Sequence, residues 1–204
     1  MQTENKNRKS IRIKGYDYSS VGDYFVTICT QNRECLFEEI IDGEMKLNEV
    51  GKIAEKCWFE IPKHFPNTEL DIFQIMPNHM HFVLRILDAE DIGGNRRGAI
   101  YCAQTNNAIN QGAINCAPTG GGFSGAKSPL LNPNSLSKII RWFKGRITFE
   151  VRKSGFGFEW QRNYYEHIIR NEQSYNEIYN YIQSNPQTWD RDRNNPTNIT
   201  KITS

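Results

Sequence analysis

The run LDIFQIMPNHMHFVLRIL, residues 70–87, constrains the fold more than any other stretch of the chain. Two segments rich in β-branched and aromatic residues, 70–76 and 79–87, flank Pro77-Asn78. Pro-Asn is a turn signal, so the segments are expected to form a hairpin. Side chains alternate along a strand. Met80, Phe82 and Leu84 therefore share one face and supply core, while His79, His81 and Arg85 share the other. Two imidazoles placed at i and i+2 are good ligands for one divalent cation. Mutual repulsion also disfavours charging both. An isolated His-x-His pair is more often just two polar residues on a solvated sheet face, so the rest of the chain has to decide.

The flanking segments extend the pattern. YFVTICT (24–30) predicts a strand. LNEVGKIAEKCWFEIPKHF (47–65) predicts a helix, with Leu47, Val50, Ile53, Ala54, Cys57, Trp58 and Ile61 at helical spacing. SLSKIIRWFKGRITFEVRK (135–153) predicts a second helix with Ser135 as N-cap. Its apolar stripe is Leu136, Ile139, Ile140, Phe143 and Ile147, and Lys138, Arg141 and Lys144 lie mostly off it. FEWQRNYYEH (158–167) is expected to carry a short fourth strand, and NEQSYNEIYNYIQSNP (171–186) a third helix closed by Pro186. The order β-α-β-β-α-β followed by a helix predicts an α+β, ferredoxin-like (RRM-like) antiparallel sheet with helices on one face and the other face open to a ligand.

Residues 88–134 interrupt the pattern. They are rich in Gly, Asn, Pro and Ser, without periodicity, and GAIYCAQ (98–104) returns as GAINCAP (112–118). A flexible, low-complexity insertion that the chemistry can do without is expected here. The whole, 1–204, is expected to be one domain with a basic arm at 1–15, where Lys6, Arg8, Lys9, Arg12 and Lys14 occur with no acid among them.

Bulk charge does not mark a partner: 25 Lys+Arg against 23 Asp+Glu leave a formal +2. The five cysteines, Cys29, Cys35, Cys57, Cys102 and Cys116, share no Cys-x-x-Cys spacing, so neither a disulfide framework nor a zinc site is expected. No signal peptide is read and no apolar run reaches about 18 residues. A cytoplasmic, membrane-free chain follows as the expectation.

Three features favour chemistry over a bland sheet face. Asn185 follows Tyr181 by one helical turn, so a phenol and an amide oxygen share a face of the third helix. WQRNYYEHIIR (160–170) mixes aromatics with Arg162, His167 and Arg170, a composition suited to base stacking and phosphate contact. The basic arm and the basic side of helix 135–153 add sites for a polyanion.

Together MPNHMHFVL, YFVTICTQNRECLF, SLSKIIRWFKG and WQRNYYEHIIRNEQSYNEIYNYIQSNPQTW resemble the single-tyrosine HUH transposases, and specifically the REP-associated tyrosine transposases. The resemblance covers about 24–87 and 135–189. It implies an HUH endonuclease fold, a divalent ion (Mg²⁺ or Mn²⁺) held by His79, His81 and Asn185, and Tyr181 as the catalytic nucleophile, with Tyr164, Tyr165 and Tyr175 as rivals. It implies single-stranded DNA with a hairpin, a palindromic repeat, as substrate, and a nucleoid-associated monomer or homodimer. Lys9, Arg12, Lys14, Arg85, Lys138, Arg141, Lys144, Arg162 and Arg170 are the expected DNA contacts. The rival expectation is a catalytically silent repeat-DNA or RNA-binding module on the same fold.

Overall fold

The computed structural model describes residues 16–88 and 135–199. The basic arm with Lys9, Arg12 and Lys14, nearly all of the 88–134 segment, Cys102 and Cys116 lie outside these residues.

Four antiparallel strands form the main sheet, in the order β4-β5-β1-β6: β1 (Gly22–Cys29), β4 (Thr68–Met76), β5 (His79–Ile86) and β6 (Tyr165–Ile169). The expected hairpin is β4 and β5, joined at Pro77-Asn78 and registered Met76 to His79 and Gln74 to His81. A bulge between Leu70 and Phe73 shifts the register farther along. β5 sits between β4 and β1, so both its edges are paired. Elements packed on both faces of the sheet bury seven of the eight β5 side chains and leave only Arg85 partly open.

One face of the sheet is the core. Tyr24, Val26 and Ile28 of β1 and Met80, Phe82, Leu84 and Ile86 of β5 point into it. Helices α1 (Glu49–His64) and α2 (Leu136–Lys153) cover it. Asn48 caps α1 by accepting from the Gly51 amide, and α1 buries Val50, Ala54, Cys57, Trp58 and Ile61. α2 buries the stripe read from its sequence, extended by Val151. The centre is aromatic: the Trp58 ring stands 4.7 Å from Phe82 and 5.9 Å from Phe143. Each such side chain buries a large apolar area and packs edge-to-face or tilted.

Three features depart from the expectation. A second, two-stranded sheet, β2 (Glu38–Ile41) and β3 (Glu44–Leu47), precedes α1. It packs so close that a Cβ on Gly51 would meet Leu47 Cδ2 at 2.9 Å and the Phe37 carbonyl at 3.0 Å. The fourth strand begins at Tyr165, not in 158–164, and Trp160 makes a single bridge to Thr30. Lys144 explains the shift: its ammonium draws in the carbonyls of Gln161 and Asn163, and Asn163 takes φ 69°. That turn breaks the extended chain.

The third departure matters most for function. The second sheet face is not left bare. Helix α3 (Glu172–Ser184), capped by Asn171 on the Ser174 amide, crosses it. Ile178 and Ile182 of α3 pack against Phe25 and Val83 from β1 and β5. A 3₁₀ segment, Pro186–Arg191, and the short α4 (Pro196–Ile199) follow. Among the described residues no helix is long and apolar enough to cross a membrane.

Candidate metal and nucleophile site

Strand alternation puts His79 and His81 on the α3 side of the sheet, and both are fully buried there. Their Nε2 atoms stand 2.9 Å apart. The outer nitrogens are held from behind. His81 Nδ1 meets the Thr27 hydroxyl at 2.8 Å, across the β1–β5 pair. His79 Nδ1 meets Asn78 Oδ1 at 2.8 Å.

The Asn78 network fixes a tautomer. Its amide nitrogen donates to the carbonyls of Arg33 and Asn194 at 2.9 and 2.8 Å, so its oxygen faces His79 and can only accept. Nδ1 of His79 therefore carries the hydrogen, and Nε2 presents a lone pair. Burial holds both rings neutral. It presses His79 well below the usual imidazole range, helped by the charge of His81, Arg33 and Arg193, and takes His81 to about 3.

The third side chain is Asp192, which lies just beyond the 3₁₀ segment and is buried. Its Oδ2 is 3.9 Å from His79 Nε2. Ligand atoms of His79, His81 and Asp192 all lie within 4.8 Å of one another, a buried group that can hold a metal ion. Two ligands adjacent in an octahedral shell with bonds of about 2.1 Å stand about 3 Å apart. The observed Nε2 separation fits that spacing.

α3 brings Tyr181 to the same point. Its hydroxyl is 3.2 Å from His81 Nε2, and its ring stands edge-on to Phe25. Burial and the Asp192 charge raise its phenol, while a hydrogen bond from Asn185 and the charge of Arg193 pull the other way. Asn185 caps α3 and is buried. Its Oδ1 has no hydrogen-bond partner among the described residues, an acceptor left for a ligand. Tyr181, Asn185, His81, Asp192, Arg191 and Arg193 line an open pocket of about 470 Å³. A larger hollow, about 600 Å³ along α2 and Trp160, contains none of these side chains.

Two of the three rival tyrosines are engaged elsewhere. Tyr175 donates to Asp71 at 2.8 Å, Tyr164 reaches Ser137 at 3.5 Å, and Tyr165 lines the pocket wall, 45% exposed. The expected DNA contacts are scattered. Arg85 shares the histidine face but is clamped by Asp23 at 2.6 Å and Glu69 at 3.5 Å. Lys138 and Arg141 are exposed on α2, which covers the opposite face. Lys144 is spent on two carbonyls. Arg162 and Arg170 are exposed at the two ends of the β6 region.

The sequence reading missed Asp192, Asn78 and Thr27. Asn78 was visible only as a turn residue, and Thr27 only as a strand former. Asp192 follows Tyr181 by eleven residues, beyond the end of the helix, where no periodicity assigns a face.

No protein-family model matches the chain. An uncharacterized protein of Haemophilus influenzae is 40% identical over 188 residues, which is 92% of each chain. Among solved structures, a REP-associated tyrosine transposase bound to a REP hairpin superposes with a TM-score of 0.52 at 17% identity. That likeness covers 87% of this chain and 73% of that one, and it shows a shared fold. Identity of this degree over nearly the whole of both sequences places the chain in one family with the Haemophilus influenzae protein.

Proposed function

We propose that this member of the family is a metal-dependent single-strand DNA endonuclease and strand transferase, a transposase that acts on hairpin-forming repeats through a covalent 5′-phosphotyrosine. The observation that carries the proposal is the convergence of Tyr181 on the buried His79–His81–Asp192 group. It occurs on a fold shared with a transposase bound to a REP hairpin.

His79, His81 and Asn185 would hold Mg²⁺ or Mn²⁺, with Asp192 as a further oxygen ligand. The fit rests on two neutral imidazoles, a carboxylate within reach and the unpartnered Asn185 Oδ1. Such an ion supplies Lewis-acid polarisation of the scissile phosphate and helps orient it.

The protein's own groups do the rest. Tyr181 Oη attacks the phosphorus, an Oη–P bond forms and the bond from phosphorus to the 3′ oxygen breaks. The phenolic proton ends on the departing 3′-OH. A phenol is a weak nucleophile near neutral pH, and burial here weakens it further by disfavouring the phenolate. The Asn185 hydrogen bond and the Arg193 charge offset part of that by stabilising the developing negative charge. The Tyr181 ring packs edge-on against the stacked Phe25 and His81 rings, which fixes its position. The phosphotyrosine keeps the energy of the broken phosphodiester, so attack by a second 3′-OH reverses the step and joins a new strand without ATP.

The test is incubation of the protein with labelled single-stranded DNA from the repeats flanking its own gene, with and without Mn²⁺ or Mg²⁺. A metal-dependent protein–DNA band, lost in Tyr181→Phe, is the expected result. A band unaffected by chelation, or tight binding with no band on any flanking repeat, would contradict the proposal.

A further inference from the structure

We infer that the strand leaves the Tyr181 pocket through a second, arginine-lined groove, in which Arg33, Arg162 and Arg193 hold phosphates of single-stranded DNA. The inference rests on the proposed nuclease function and says where the substrate runs. The groove has a volume of about 270 Å³ and is continuous with the pocket, since Thr27, Tyr165 and Arg193 line both. Arg33, Arg162, Gln161 and Asn163 are among its other lining residues.

Both walls are pinned, which makes the groove a feature of the fold. One wall, the loop 159–163, is tied to the end of β1. The Gln31 amide donates to the Glu159 carbonyl, the Gln161 amide donates to the Cys29 carbonyl, and the Lys144 ammonium gathers the carbonyls of Gln161 and Asn163. The opposite wall is the segment 192–194. Arg33 donates to the Arg193 carbonyl at 2.8 Å, and Asn78 donates to the Asn194 carbonyl. Arg33 and the preceding Asn32 both take positive φ, 57° and 53°. Two consecutive residues other than glycine in that region cost free energy, and they persist where the surroundings hold them.

The chemistry of the lining selects the occupant. Among the described residues none of the three guanidiniums is paired with a carboxylate. Outside the groove, Arg85, Arg146 and Arg152 each have at least one acidic partner within 4 Å, while Arg141, Arg170 and Arg191 have none among the described residues. Three guanidiniums without a carboxylate partner, on walls the fold holds beside a nucleophile, suit a polyanionic backbone. The half-exposed Tyr165 ring at the junction offers a stacking surface for one unpaired base. A single strand fits this combination of narrow groove and ring face. A duplex has no unpaired base to offer.

The experiment is fluorescence anisotropy with a fluorescein-labelled single strand carrying a hairpin, over a range of salt, for wild type and Arg162→Ala/Arg193→Ala. Loss of two phosphate contacts should make the slope of log K against log salt shallower by about 1.4. Affinity at low salt should fall about tenfold. A structural role for the arginines would not move the slope. Arg162→Glu alone, on an exposed loop, repeats the test if the Arg193 change disturbs the Asp192 segment, and it should weaken binding more than Arg162→Ala. Wild-type binding with unchanged slope and affinity in both variants overturns the groove and leaves the nuclease proposal standing. No binding of single strands by wild type overturns the nuclease proposal and the groove with it.

Discussion

The hydroxyl of Tyr181 stands 3.2 Å from Nε2 of His81, 100 residues away in the chain, and α3 is what carries it there. Tyr175, on the same helix, is directed instead to Asp71 at 2.8 Å. The two tyrosines should therefore separate cleanly. Tyr175→Phe removes one hydrogen bond to a charged acceptor, and urea titration should show a loss of about 1.5–3 kcal/mol. Strand cleavage should survive the change. Cleavage lost in Tyr175→Phe while the fold persists would move the nucleophile.

Asp192 adds an acidic oxygen to two neutral imidazoles, and its replacement tests the composition of the ion site. Asp192→Asn keeps an oxygen to accept from the Asn194 amide, so the local turn should hold. Mn²⁺ binding, read by calorimetry, should weaken at least about tenfold, the scale on which metal sites respond to loss of supporting groups. Unchanged Mn²⁺ affinity would mean that Asp192 stays outside the coordination shell.

Phe82 sits fully buried on the core side of β5, against Trp58 and Phe143. Phe82→Ala should cost about 3–5 kcal/mol, through lost burial and the cavity left behind. Denaturant unfolding measures it. The histidines point the other way, so Mn²⁺ affinity of the folded fraction should be retained.

Lys144 gives the protein a pH signature. Burial lowers its ammonium to about 8 from an ordinary value of 10.5. Between those values the unfolded chain binds the proton more readily than the folded one. By linkage, this group's contribution to stability rises with pH across about 8 to 10.5 and is flat below. Thermal unfolding of wild type and Lys144→Met over that window isolates it. The wild type should gain stability relative to the variant as pH rises. A gap that narrows with rising pH would contradict the assignment.

Much of this architecture is legible in the sequence because it rests on strong periodicities. The alternation Met80, Phe82, Leu84 against His79, His81 fixed both the core face of β5 and the position of the imidazoles. The apolar stripes of 47–65 and 135–153 placed α1 and α2 within two residues of their observed ends. What stayed hidden depends on contacts between distant segments. The β2–β3 hairpin is four residues per strand with exposed charges, too short to show a pattern. The path of α3 across the second sheet face is decided by Ile178 and Ile182 meeting Phe25 and Val83, a tertiary match that no local window contains. Asp192 and Asn78 become part of the site only because the chain after α3 folds back onto the β4–β5 turn. Arg85 failed as a free cation for the same reason, since Asp23 and Glu69 face it across both neighbouring strands.

The proposed mechanism requires that Tyr181 become covalently joined to DNA. The direct measurement is proteolysis of the trapped protein–DNA complex, followed by mass spectrometry of the nucleotide-bearing peptide. The expected product is a phosphodiester on Tyr181, formed only with Mg²⁺ or Mn²⁺ present. A nucleotide on Tyr164, Tyr165 or Tyr175, or cleavage of the strand with no covalent peptide at all, would contradict it.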